Sequence, residues 1–219
     1  MLSPIEEGAE GAVPTCIVIN GPSSVGKSTL ARHLQEVARR PLLRFGVDEL
    51  YRMVPPDWSG GEQDALHSHV GFQYVDHGMS SDGYVLRGIS NGTDALAMLR
   101  AMNAAVIAML EEGVSVVVDG QAYEPAITDD LQARLDALAA RGEVTVSYLQ
   151  LGARNEVLSD RNACHAHPSH IGVHQAALPP QNTRVDLTLD TSDISTTEVH
   201  DRVVAFLASK SPIFGGAPR

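Results

Sequence analysis

Two cysteines in 219 residues, Cys16 and Cys164, are too few for a disulfide framework, and no CxxC pair marks a metal site. Positive charge is also scarce. Sixteen Lys and Arg face 27 Asp and Glu, for a net charge of -11. A nucleic-acid partner is therefore not expected, because contacts to a phosphate backbone need a basic face. A local basic pocket for one nucleotide is compatible with that balance. No apolar run reaches membrane-spanning length, and the acidic start (Glu6, Glu7, Glu10) lacks a charged-then-apolar signal pattern. The expectation is a cytoplasmic protein with no membrane partner, in a reducing compartment.

What remains is the composition of an ordinary globular chain, 43% hydrophobic and 20% charged. Its length fits one domain with a buried core. Residues 1–14 and 211–219 read as loose tails around a domain at 15–210. No internal repeat is present. Cys16 to Asn20 is a continuous apolar run, as a strand buried on both faces should be. Lys27 to Arg40 has helical periodicity, with Leu30, Leu34 and Val37 on one face. Further strands are expected at Leu42–Gly46, Val114–Val118, Glu143–Leu151 and Val185–Leu189. Helices are expected at Ala97–Glu112, Ile127–Ala140 and Arg154–Asn162, and after the capping box Ser195-Thr196-Thr197-Glu198, to about Ser209. This alternation predicts an α/β fold: a five-stranded parallel sheet with helices on both faces. Residues 54–91 break the rhythm and are too long for an ordinary loop. They are a substrate-covering insertion or a disordered excursion, and their aromatics favour the insertion.

Gly21-Pro22-Ser23-Ser24-Val25-Gly26-Lys27-Ser28 matches GxxxxGK(S/T), the P-loop, with a buried strand before it and an amphipathic helix after it. The glycines let backbone N–H groups turn inward toward phosphate oxygens, and the helix start at Thr29 adds its dipole. Lys27 reaches the β- and γ-phosphates, and Ser28 offers a hydroxyl to Mg²⁺. Asp119 closes the strand after Val118 and matches a second Mg²⁺ position; the plainer reading is an Asp opening a turn with Gly120. No NKxD motif is present, so a GTPase is not expected, and larger ATPase classes need more chain. A compact chain with one P-loop looks like a small-molecule kinase, which needs a carboxylate to orient the acceptor hydroxyl. Asp48 follows the second strand in Phe45-Gly46-Val47-Asp48, where such a group should lie; it can also start a helix there.

These segments resemble the chloramphenicol phosphotransferase family. The resemblance rests on Ile17 to Ser28 with the P-loop, Phe45-Gly46-Val47-Asp48, Met53-Val54-Pro55-Pro56, Val116-Val117-Val118-Asp119, and Val185 to Ser192, over about residues 15–208. It implies an adenylate-kinase- or shikimate-kinase-like P-loop fold and ATP-dependent phosphorylation of a small-molecule alcohol, of the antibiotic-resistance or biosynthetic kind. It further implies that Lys27 stabilises the transferring phosphoryl group, Ser28 binds Mg²⁺, Asp48 takes the hydroxyl proton, and Arg161 belongs to the lid.

A lid is expected at about 154–175. Arg154 and Arg161 lie two helical turns apart, so both can face the phosphates, or both can be surface residues. Arg161 and Thr191 are expected near the nucleotide base. After Arg161 the sequence departs from the family pattern. A histidine-rich stretch (His165, His167, His170, His174) stands where a second arginine is expected, as a polar lid loop or, less simply, a zinc site. Tyr51, Met53, Phe72, Tyr84, Gln121 and Tyr123 are the candidates for the acceptor pocket. The cofactors implied are ATP or GTP with Mg²⁺, and the partners are that nucleotide and a small hydroxyl acceptor. An oligomer is compatible with the sequence. The competing readings are a nucleoside or other metabolite kinase, and a nucleotide-binding regulator without catalysis.

Overall fold

The computed structural model describes residues 13–60, 65–164 and 171–215. His165, His167, His170 and the outer parts of both tails lie outside the described residues.

The first strand, β1 (Thr15–Asn20), is buried along its whole length. Its side chains alternate between two cores. Ile17 and Ile19 face the core that includes α1 (Lys27–Val37) and α7 (Thr196–Ala208). Cys16 and Val18 face the other, under α3 (Thr93–Glu111) and α4 (Pro125–Ala140). Fully burying each branched aliphatic contributes roughly 1.5–3 kcal/mol, which is why a strand apolar on both faces belongs at the sheet centre. Its neighbours are parallel: β5 (Ser115–Asp119) on one side and β6 (Thr145–Gly152) on the other. The edges are β2 (Leu42–Phe45) and β7 (Leu187–Asp190), giving the order β2-β5-β1-β6-β7. The five expected strands and the parallel sheet are all present, with helices on both faces.

Ends differ from expectation in detail. Helix α1 stops at Val37, and its buried stripe is Leu30, Ala31 and Leu34; Val37 is 39% exposed. The Ser195 side chain accepts from the Glu198 N–H, so the capping box opens α7. Helix α3 is long and apolar enough to cross a membrane, which no run was expected to be. Its buried stripe of Ala95, Leu99, Met102, Val106 and Leu110 packs inside the protein.

The 54–91 insertion is ordered where it is described. After a short 3-10 turn at Pro56–Trp58 comes an antiparallel hairpin of β3 (Phe72–Met79) and β4 (Val85–Asn91). Phe72 anchors it in a third core with Leu50, Val54, Leu99 and Ile127. Two short helices complete the cleft: α2 (Val47–Met53), directly after β2, and α6 (Gly172–Ala176), after α5 (Asn155–Ala163).

Candidate active site

The P-loop joins the carboxyl end of β1 to α1. Gly21 has φ 139 and Gly26 φ 106, a range that side chains avoid, and Ser24 takes φ 67. A Cβ on Gly21 would stand 2.3 Å from the Leu151 carbonyl oxygen, so the loop threads close against β6. Lys27 folds back over the loop, its Nζ donating to the carbonyls of Gly21 at 2.8 Å and Pro22 at 2.9 Å. Burial pulls the Lys27 ammonium below its usual value, while Asp119 and Asp48 both act to raise it. Those two carboxylates therefore sit in the field of the P-loop lysine.

Asp119 ends β5 beside β1 and is 4% exposed. Burial pushes its carboxyl up from the ordinary value, against the pull of a Ser28 hydrogen bond, Lys27 and Arg44. Arg44 Nη1 lies 3.5 Å from Asp119 Oδ2, and Arg44 Nη2 donates to Glu49 Oε1 at 2.8 Å. Asp119 Oδ1 is buried and has no partner. A hydroxyl, one carboxylate and an unsatisfied oxygen suit Mg²⁺, which takes few protein ligands and completes its shell with water and phosphate. Among the described residues no cluster of three metal-ligating side chains occurs, and zinc has no such site there.

Asp48 lies in the first turn of α2. The chain reaches it through Gly46, where a Cβ would stand 2.1 Å from the Asp119 carbonyl oxygen. The Val47 N–H donates to the Gly120 carbonyl at 3.3 Å. Asp48 and Asp119 thus emerge from two backbone segments packed against each other. Asp48 and Tyr74 act with burial to hold the Tyr51 phenol above its ordinary value, so the two tyrosines gather beside the carboxylate.

A cleft of about 560 Å³ runs over these groups. It is lined by Gly21, Ser23 to Thr29, Asp48, Tyr51, Asp119, Gln121, Tyr123, Arg161 and Thr191. Pro22 contributes its carbonyl to Lys27. Arg161 sits at the far end: it donates to Thr191 Oγ1 at 2.9 Å and Thr191 O at 2.8 Å, and leans on the Val25 carbonyl. Those contacts hold its guanidinium against Thr191 and the Val25 carbonyl at the edge of the P-loop. Arg154 does not line the cleft. Its guanidinium is paired outward with Asp193 and Glu156. Three expected acceptor residues are also elsewhere: Met53 is 73% exposed, Phe72 is core, and Tyr84 packs beside Leu158 and Val173.

Apart from the acceptor candidate Gln121, the polar side chains that meet the loop and its neighbours carried no sequence signal. Gln175 of α6 accepts the Ser23 N–H at 2.7 Å, and Gln181 accepts the Gly21 N–H at 3.3 Å. Gln121, 4% exposed, accepts from Asn20, which also donates to Asn182. No motif spacing identifies a glutamine that returns to the loop from 150 residues away. The hairpin adds His77 and Asn91 to the cleft wall.

Solved structures share this architecture. A sugar kinase from Janibacter sp. superposes with a TM-score of 0.57 at 16% identity, over 94% of this chain and 99% of that one. A tunicamycin resistance protein of Deinococcus radiodurans gives 0.55 at 18% identity, over 91% and 99%. A shikimate kinase from Acinetobacter baumannii gives 0.51 at 14% identity, over 90% and 94%. At these identities the likeness is one of fold. No curated protein matches the sequence. The family model for chloramphenicol phosphotransferase-like proteins matches residues 14–208. With a P-loop, two carboxylates in its field and that match over most of its length, the chain belongs to the chloramphenicol phosphotransferase-like family, and is a P-loop kinase that phosphorylates a hydroxyl of a small molecule.

Proposed function

We propose that the protein transfers the γ-phosphate of ATP to a hydroxyl of an antibiotic or other natural product. The observation that carries this reading is that Asp119 and Asp48 both act electrostatically on Lys27 in one cleft that all three line. The P-loop N–H groups of residues 21–28 and Lys27 hold the β- and γ-phosphates. Asp48 orients the acceptor hydroxyl and receives its proton as the new O–P bond forms and the bond to the β-phosphate oxygen breaks. Ser28 and Asp119 would hold Mg²⁺, which when bound supplies charge neutralisation at the phosphates. Arg161 and Thr191 sit where the base and ribose enter. Tyr51, Gln121 and Tyr123 form the acceptor wall.

The charge on the acceptor side separates this reading from a nucleotide kinase. Arg44, Arg52 and Arg87 are each paired with a carboxylate: Glu49 and Asp119, Glu49, and Asp76. A phosphate-bearing acceptor would have to compete for them, whereas an uncharged one does not.

Asp48→Asn tests the assignment. It is expected to bind ATP as the wild type does and to lose transfer by on the order of 10²–10⁴-fold. Incubation of a natural-product panel with ATP, followed by mass spectrometry, reads out the acceptor. Normal transfer by the variant would remove Asp48 as the base, and a panel in which only nucleotides gain mass would replace the acceptor class.

A further inference from the structure

Phosphoryl transfer needs positive charge on the open side of the phosphates. Between Arg161 and Arg184 the sequence holds neither arginine nor lysine. Arg161 is tied to Thr191 and Val25, and Arg154 to Asp193 and Glu156. What faces the cleft from α6 and the hairpin is imidazole. His174 of α6 stacks on His77 of β3, ring centroids 4.3 Å apart and planes 16° from parallel. Both line the cleft. Gly88 on β4 makes the space, since a Cβ there would stand 2.9 Å from His77 Nε2 and 3.3 Å from the His174 ring.

Helix α6 also touches the P-loop. Gln175, the residue after His174, accepts the Ser23 N–H, and a Cβ on Gly172 would stand 2.6 Å from the Ser23 carbonyl oxygen. The imidazole pair is thus carried on a segment seated against the phosphate loop. Two neutral rings stack freely, whereas two imidazolium ions at this separation repel. Burial and the neighbouring His77 hold His174 below the usual histidine value, which favours its neutral form. Arg32 of α1 also lines the cleft, its Nε donating to the Ser28 carbonyl at 3.1 Å, and other charged groups near the pair are engaged. On the hairpin Asp76 pairs with Arg87; across the cleft Lys27 lies among Asp48 and Asp119; on α5 Arg161 is held by Thr191. An arriving triphosphate adds negative charge beside the rings and favours the protonated form.

We propose that His77 and His174 are the cation of the lid: the pair takes up a proton from solvent as the nucleoside triphosphate enters, and so sets a positive charge beside its phosphates. The proton goes to an imidazole nitrogen, and no bond to phosphorus is involved. The proposal rests on reading the cleft as a triphosphate site.

Calorimetry of a non-hydrolysable ATP analogue with Mg²⁺, in buffers of different ionisation enthalpy, counts the protons exchanged. The wild type is expected to take up close to one proton more per nucleotide, about 0.5–1, than the His77→Gln/His174→Gln double variant at neutral pH. That difference cancels the ionisation of the nucleotide itself. The affinity of the double variant should be roughly tenfold weaker near pH 6.5 and about equal to the wild type above pH 8.5. His174→Arg should keep transfer active at alkaline pH, where wild-type transfer declines. Equal proton numbers in the wild type and the double variant would overturn the proposal, as would an unchanged alkaline decline in His174→Arg. A wild type that gives no binding heat and protects no analogue would instead bring down the triphosphate reading beneath it.

Discussion

The P-loop rests on β1, all six residues of which are buried, while the hairpin on the other side of the cleft is exposed along the outer half of β3. One wall is fixed by backbone. Gly21 threads past Leu151, Gly46 packs on Asp119, and the two carboxylates leave the sheet at set points. The other wall is made of side chains on short elements: Gln175 and His174 on a five-residue helix, His77 on a strand with one buried residue. The first kind of wall suits chemistry that must be placed within a fraction of an ångström.

Removing the P-loop cation should have the largest effect. Lys27→Met is expected to lower kcat/KM by on the order of 10³-fold with the fold intact, measured by steady-state kinetics beside circular dichroism. A loss below tenfold would mean that the fixed wall does not carry the transferring charge.

Asp119→Asn should separate activity from stability. Burial holds this carboxyl above its ordinary value, so its unfolded-state value is the lower of the two. An acid of that kind opposes folding when ionised, and the penalty disappears as pH falls through the folded-state value. The substitution is expected to cut transfer by on the order of 10²-fold and to weaken the response to Mg²⁺. It should also raise the thermal midpoint at neutral pH, with the gain shrinking in acid. A lower midpoint at neutral pH would show that Arg44 more than offsets the desolvation of Asp119.

On the side-chain wall, Gln175→Ala should bind the nucleotide more tightly. Gln175 occupies the Ser23 N–H that a phosphate needs, and one such hydrogen bond is worth about 0.5–1.5 kcal/mol. A gain of about two- to tenfold in affinity is expected by fluorescence titration. Weaker binding would turn Gln175 from a competitor of the phosphate into a ligand of it. The smallest effect belongs to Arg154→Gln. Its guanidinium points away from the cleft into Asp193 and Glu156, so nucleotide affinity and transfer should match the wild type. A loss of transfer would mean that this arginine swings inward during the reaction.

The fixed wall was readable from sequence and the side-chain wall was not, for physical reasons. A strand buried on both faces writes a continuous apolar run, and a phosphate loop needs glycine where φ is positive; both signals are local. Hence β1, the P-loop, β5 ending at Asp119, and Asp48 after β2 lay close to where they were expected. The hairpin leaves no alternation to read, because β3 passes from buried Phe72 to exposed His77 and Met79 without a consistent inner face. Its aromatics misled in the same way. Phe72 serves the core and Tyr84 lies against Leu158, while Tyr51, Gln121 and Tyr123, next to the carboxylates, did reach the cleft. Arg154 and Arg161 share a helix period but not a destination, since Asp193 captures one and Thr191 the other. Partners that distant in sequence leave no trace in spacing.

Gly46 has one further consequence. With no side chain between β2 and the end of β5, the separation of Asp48 from Asp119 is a property of two backbones in contact. On the function proposed above, the cleft residues Tyr51, Gln121 and Tyr123 can be rebuilt for a different alcohol while Asp48 and Asp119 keep their spacing. A chain organised this way can exchange substrates without having to reinvent its chemistry.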